Sequence, residues 1–113
     1  MKTLEELRRD VAIFRDERNW KQFHTPRNLA MSISIEAAEL LEIFQWSKDD
    51  LEVEPLRKRI EEELADVLIY CVLMADAMDM DLDEIITKKI LINNEKYPVK
   101  KAYGKSVKYT ELD

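Results

Sequence analysis

Glu61-Glu62-Glu63-Leu64-Ala65-Asp66-Val67-Leu68-Ile69-Tyr70 runs two carboxylates, Glu63 and Asp66, into the start of a long apolar segment. Upstream, Ile33-Ser34-Ile35-Glu36-Ala37-Ala38-Glu39-Leu40-Leu41 repeats the arrangement with Glu36 and Glu39. Residues three apart share a face of a helix. Each stretch therefore presents a pair of carboxylates in one direction, among neighbours expected to be buried. A buried carboxylate is unfavourable unless it is paired or bound to a cation. Two such pairs on facing helices would form an oxygen-rich cage for a hard divalent metal.

The 113 residues suffice for one domain with one core, and one glycine with three prolines is too few turn-formers for many short strands. A few long helices are expected instead. The net charge of -6 argues against a broad nucleic-acid surface and leaves no nucleic acid polymer among the expected partners. The single cysteine, Cys71, lies inside the apolar run and reads as a small core residue. The first residues carry no apolar signal core, and the uncharged run 67–75 is too short for a bilayer. The expectation is a soluble cytoplasmic protein with no membrane partner.

Four helices follow from local signals. Thr3-Leu4-Glu5-Glu6 reads as a capping box, followed by an apolar stripe of Leu4, Leu7, Val11 and Phe14, with Arg8, Arg9, Asp16 and Arg18 mostly opposite. A linker with two aromatics and the only histidine, Trp20 to Pro26, leads to a second helix capped by Thr25 with Pro26 at its first position, running to about Trp46. Ser47-Lys48-Asp49-Asp50 breaks the pattern as a loop. The third helix is placed from about Pro55 to Met80, and its second half is apolar nearly all round. A four-helix monomer cannot cover such a helix, so a second subunit is expected, as a homodimer or a homotetramer (a dimer of dimers). Asp81-Leu82-Asp83-Glu84 reads as a second capping box, and Tyr97-Pro98 ends the fourth helix. Residues 1–98 are expected to form the helical domain that carries the acidic pairs, and 99–113 a polar tail.

Four carboxylates without a histidine partner suit Mg²⁺, or Mn²⁺, rather than zinc or copper. A ferritin-like di-iron site would need Glu-x-x-His on two helices, and Lys21 stands three residues before His24. Mg²⁺ usually bridges to substrate phosphates, which points to phosphate-ester or phosphoanhydride chemistry. Lys89, Asn93 and Lys96 share a face of the fourth helix and suit a phosphate chain, although an ordinary solvated face has the same spacing. Tyr70 follows Asp66 by one turn, and Trp20 and Trp46 flank the second helix. These aromatics could stack a base or simply fill the core. The bland alternative for the acids is pairing with Arg27, Lys89 or Lys96. The chain would then be a non-catalytic helical dimeric interaction module. A third reading is an enzyme acting on a phosphoanhydride that is not a nucleotide.

The combination Glu36-x-x-Glu39, Glu63-x-x-Asp66 and Lys89-x-x-x-Asn93-x-x-Lys96-Tyr97 resembles the MazG-type all-α nucleoside triphosphate pyrophosphohydrolases. The segment Arg18 to Leu29, Phe44-Gln45-Trp46 and Lys108-Tyr109-Thr110-Glu111-Leu112 look like the dCTP pyrophosphatase branch of that family. The resemblance spans nearly the whole chain. It implies an all-α, four-helix MazG-like bundle completed by dimerisation, often as tetramers. It also implies Mg²⁺ held by Glu36, Glu39, Glu63 and Asp66, and hydrolysis of a nucleoside triphosphate to the monophosphate and pyrophosphate, for house-cleaning of the nucleotide pool. In that family Lys89, Asn93, Lys96 and Tyr97 would handle phosphates or sugar, while Trp20, Trp46, Tyr70 and His24 would line the base pocket. The pattern departs at Val11, where relatives of the dCTP type carry a polar pocket residue. That leaves dATP and modified cytosine nucleotides open beside dCTP.

Overall fold

The computed structural model describes residues 1–46 and 53–113. The loop expected at 47–50 lies outside them. Among the described residues the structure is all-helical, in two compact units, Met1–Met80 and Asp81–Asp113. No helix among these residues is long and apolar enough to cross a membrane.

The first unit holds α1 (Leu4–Glu17), α2 (Pro26–Glu42) and α3 (Arg57–Ala77). Each start has a local cause. Thr3 and Glu6 close the expected capping box, with the Glu6 N–H donating to Thr3 Oγ1 at 3.1 Å. Thr25 Oγ1 accepts from the Asn28 N–H at 3.2 Å, with Pro26 opening α2. A 3-10 turn, Glu54–Leu56, carries Pro55 and leads into α3. The ends of α2 and α3 fall a few residues inside the sequence expectation, α2 passing into turns at Ile43 and α3 stopping at Ala77.

The exits of α1 and α3 are alike. Asn19 and Asp79 both take a left-handed φ of 54°. Behind them the Trp20 N–H reaches back to the Arg15 carbonyl at 3.1 Å, and the Met80 N–H to the Ala75 carbonyl at 2.7 Å. These are Schellman closures built on Asn and Asp rather than glycine. They turn the chain sharply enough to put Trp20 beside the start of the next element.

α1 packs on α3 through a face that shares only Leu4 and Val11 with the expected stripe. Leu7 and Phe14 are exposed, whereas Leu4, Arg8, Val11, Ala12 and Arg15 turn inward. The reason is Asp76 on α3. Its carboxylate accepts from Arg8 Nη1 at 2.7 Å and from Arg15 Nη1 at 2.5 Å, and Asp16 holds the other side of the Arg15 guanidinium at 2.9 Å. Arg15 is only 4% exposed. The Arg15 guanidinium, with Arg8 behind it, holds the Asp76 carboxyl below its ordinary range. A buried arginine is tolerable here because every charge has an oppositely charged hydrogen-bond partner.

α2 and α3 run antiparallel: Ser32 and Tyr70 line one cleft at one end of the pair, and Ile43 and Leu56 line another at the opposite end. The buried apolar residues among those described are Leu29, Ile43, Val72, Leu73 and Ala75. Cys71 is half-buried, and burial pushes its thiol up, away from reactivity. The rest of the apolar character remains outward. Met31, Ile35 and Leu41 on α2, and Leu64 and Leu68 on α3, are all exposed.

The second unit holds α4 (Leu82–Lys96) and the short α5 (Val99–Ala102). Asp81 caps α4 by accepting from the Asp83 N–H at 3.0 Å. Glu84 does not complete a capping box. It turns along the helix to Lys88 at 2.8 Å, a better partner for a carboxylate than a backbone N–H. The stretch 99–113 is not featureless: after α5, Gly104 adopts φ 74° and the chain closes with a 3-10 turn at Tyr109–Glu111.

Removing one member of a buried ion network leaves the others uncompensated. Asp76→Ala is therefore expected to lower the unfolding free energy by about 3 kcal/mol in urea denaturation. A change below about 0.5 kcal/mol would show that Arg8 and Arg15 do not depend on Asp76.

Candidate active site

The facing carboxylates come together in the middle of the α2–α3 seam. One oxygen from each of Glu36, Glu39 and Glu63 lies within 4.8 Å of the others. Asp66, one turn beyond Glu63, stands outside this tight group, but its charge adds to the electrostatic load on both Glu36 and Glu63. Burial is less complete than the sequence suggests. Glu36 and Glu63 are half-buried, while Glu39 and Asp66 are exposed, because the outer faces of both helices are uncovered in the single chain.

The electrostatics are those of an unneutralised acidic cluster. Burial, then the adjacent Glu39 carboxylate, then Asp66 and Glu63, push the Glu36 carboxyl up to about 7. Burial and the charges of Glu39, Asp66 and Glu62 raise Glu63 in the same direction. Glu36 Oε2 and Glu63 Oε2 are buried without a hydrogen-bond partner. Within this unit no Lys or Arg pairs with any of the four carboxylates among the described residues, Arg27 included. Orphaned buried oxygens in an all-oxygen donor set fit a hard divalent cation.

One helical turn along the seam, towards the start of α2, lies a cleft of about 390 Å³ lined by Trp20, Phe23, His24, Asn28, Leu29, Ser32 and Tyr70. Its size falls within the range of small-molecule pockets. Trp20 is braced from outside: Phe14 meets it edge-on at 5.7 Å, and the Arg18 guanidinium lies 3.8 Å from the Phe14 ring centre. His24 is half-buried with Nδ1 unpartnered, and burial, helped by the Arg15 charge, lowers its pKa. A neutral imidazole offers one donor and one acceptor to a polar ring edge. Asn28 donates its amide to the Phe23 carbonyl at 3.1 Å, which fixes the linker on α2.

Trp20, His24 and Tyr70 are thus brought together, and Trp46 is not. It lies at the other end of the seam, 85% exposed, in a separate cleft of about 450 Å³ with Pro55, Leu56 and Arg59. Val11 is half-buried on the α3-facing side of α1 and is not among the residues lining the aromatic cleft. Sequence reasoning missed Asn28 and Ser32. Their signal was available, since Asn28, Ser32 and Glu36 are successive fourth residues on one face of α2.

In the second unit Lys89, Asn93 and Lys96 lie along one exposed stripe of α4, and Tyr97 caps the helix end, half-buried. Glu84 pairs with Lys88, not with Lys89. Lys96 Nζ lies 4.8 Å from the centre of the Tyr109 ring.

Comparisons with known proteins identify the family. The model of the MazG-like family matches residues 31–112. The chain is 44% identical to dCTP pyrophosphatase 1 of Mus musculus, over 97% of this chain and 68% of the relative. It is 46% identical to dCTP pyrophosphatase 1 of Homo sapiens over the same shares. Among solved structures, a pyrophosphatase from Archaeoglobus fulgidus superposes with a TM-score of 0.80 at 45% identity, covering 87% of this chain and 94% of that one. With a seam of converging carboxylates and a family match across most of its length, the chain belongs to the MazG-like family.

Proposed function

We propose that this protein is a divalent-metal-dependent pyrophosphohydrolase of nucleoside triphosphates. It acts on deoxynucleotides, dCTP foremost, and clears unwanted nucleotides from the cytoplasmic pool. The observation that carries this is the juxtaposition, along one seam, of a carboxylate cluster with orphaned oxygens and an aromatic cleft. The relatives named as dCTP pyrophosphatase 1 supply the cytosine preference. Val11 is half-buried and outside the cleft lining, so its departure from the family pattern gives no reason within this chain to rank dATP or modified cytosines above dCTP.

Glu36, Glu39, Glu63 and Asp66 would hold the cation, Mg²⁺ first and Mn²⁺ as a substitute. Bound there, such a cation would supply charge neutralisation for the triphosphate and acidity to a water molecule. The protein's own part is positional. Trp20 and Tyr70 sandwich the base, His24 reads its polar edge, and the carboxylate nearest the attacking water accepts its proton. Lys89, Asn93, Lys96 and Tyr97 receive the phosphates and sugar. A second copy of the chain covers the exposed Met31–Ile35–Leu41 and Leu64–Leu68 faces, completing the bundle as a homodimer or a dimer of dimers. In that assembly Trp46 also joins the base pocket.

Four outcomes are expected. Pyrophosphate release from a panel of nucleotides should require Mg²⁺ and favour dCTP. Glu63→Gln should abolish release and weaken the thermal shift produced by Mg²⁺, with helical circular dichroism unchanged. Normal turnover by that variant refutes the site. Sedimentation at micromolar concentration should give a dimer or tetramer, and a monomer would refute the oligomeric part. The fourth outcome concerns pH. A carboxyl raised from its ordinary value to about 7 in the fold favours folding while protonated, and that advantage is lost as pH climbs from the ordinary carboxylate range through about 7. The metal-free melting temperature should therefore fall between pH 5 and pH 8, roughly the interval between an ordinary carboxylate pKa and the shifted one. Mg²⁺ should restore it most at the alkaline end, and Glu36→Gln should flatten the decline. A Glu36→Gln profile parallel to that of the wild type would show that Glu36 is not the group responsible.

A further inference from the structure

The segment Lys108-Tyr109-Thr110-Glu111-Leu112 has no task in the scheme above, yet it is ordered against the end of α4. Gly104 makes the return possible. It is the chain's only glycine and sits at φ 74°, and a Cβ built there would meet nothing within 4 Å. The requirement is conformational, a left-handed turn after α5, rather than spatial. Beyond it the Tyr109 N–H donates to the Tyr97 hydroxyl oxygen at 3.2 Å. The Tyr109 ring meets the Tyr97 ring edge-on, with centres 6.1 Å apart and planes at 79°. The same ring lies against the Lys96 ammonium, 4.8 Å from Nζ to the ring centre. Three contacts of different kinds thus converge on two adjacent residues of the proposed phosphate-handling stripe.

We infer that Tyr109 is a positioning residue that holds Lys96 and Tyr97 in the conformation that receives the triphosphate. A free lysine side chain explores many rotamers, and fixing it on a phosphate costs conformational entropy. An aromatic face beside the ammonium restricts that freedom before substrate arrives and leaves the amine hydrogens available to an anion. The hydrogen bond to the Tyr97 oxygen sets the orientation of the second side chain. This inference rests on the reading of Lys96 as a phosphate contact.

The test uses the full chain with Tyr109→Ala, Tyr109→Phe, Lys96→Ala and the Lys96→Ala/Tyr109→Ala double variant. Tyr109→Ala should raise KM for dCTP by about three- to fivefold, the size of effect one exposed cation–π contact supports, with kcat nearly unchanged. Tyr109→Phe keeps the ring and the backbone donor and should behave as wild type. In the Lys96→Ala background the Tyr109→Ala substitution should add much less than in the wild type, only the part that passes through Tyr97. An independent readout is the proton resonance of the Lys96 side chain beside its amine. Ring current should shift it in wild type and Tyr109→Phe, and the shift should vanish in Tyr109→Ala. Unshifted Lys96 resonances in the wild type overturn the clamp whatever the kinetics. A full Tyr109→Ala effect persisting in Lys96→Ala overturns the positioning role. A wild type that shows the shift but releases no pyrophosphate overturns the functional reading and the role assigned to the clamp, while leaving the contact itself standing.

Discussion

Like charges set the central constraint on this fold. Glu36, Glu39 and Glu63 face one another across the seam between α2 and α3, where their mutual repulsion works against the packing of the two helices that carry them. What holds the seam lies away from its middle. Leu29, Val72, Leu73 and Ala75 pack towards the end near the aromatic cleft, Ile43 packs at the other, and the Arg15–Asp76–Arg8 network straps α1 onto α3. The carboxylates are thus carried on a frame fixed at either side of them. Such a frame can keep acidic groups preorganised without relying on their own interactions, as electrostatic and metal-assisted catalysis requires.

The local signals in the sequence were legible and the long-range ones were not. Thr3, Thr25 with Pro26, and Asp81 each mark a helix start through contacts within three residues, and each does so in the structure. The spacing of the two acidic pairs likewise follows from helix geometry alone. The inward face of α1 could not be read in the same way. Its apolar periodicity selects Leu7 and Phe14, but the deciding partner of Arg15 is Asp76, 61 residues away. The depth of the four carboxylates escaped for a related reason: it depends on what covers the outer faces of α2 and α3, which is no property of either segment. Trp20 and Trp46 look equivalent as flanks of one helix, yet the antiparallel seam puts them at opposite ends. Asn28 and Ser32 stayed hidden because small polar residues in a helix are ordinary until a neighbouring cleft gives them a use.

Apolar exposure is distributed unevenly. The residues that remain outward on α2 and α3 are large and aliphatic, whereas the aromatic cleft combines rings with an imidazole, an amide and a hydroxyl. The first kind of surface gains from burial without regard to the identity of its cover. The second gains only from an occupant that satisfies its polar groups. One short chain thus carries a broadly adhesive surface and a selective one on the same pair of helices.

Arg15 belongs to two of these structures at once. Its guanidinium enters the ion network, and its carbonyl accepts the N–H of Trp20 behind the left-handed turn at Asn19. The strap that keeps α1 in place and the anchor that delivers an aromatic wall to the cleft are therefore one residue. For the evolution of this scaffold the consequence is pleiotropy. A drift in sequence along the α1–α3 contact is felt in the shape of the ligand cleft. New selectivity is then more accessible through Ser32 or Tyr70, which line the cleft without carrying the frame.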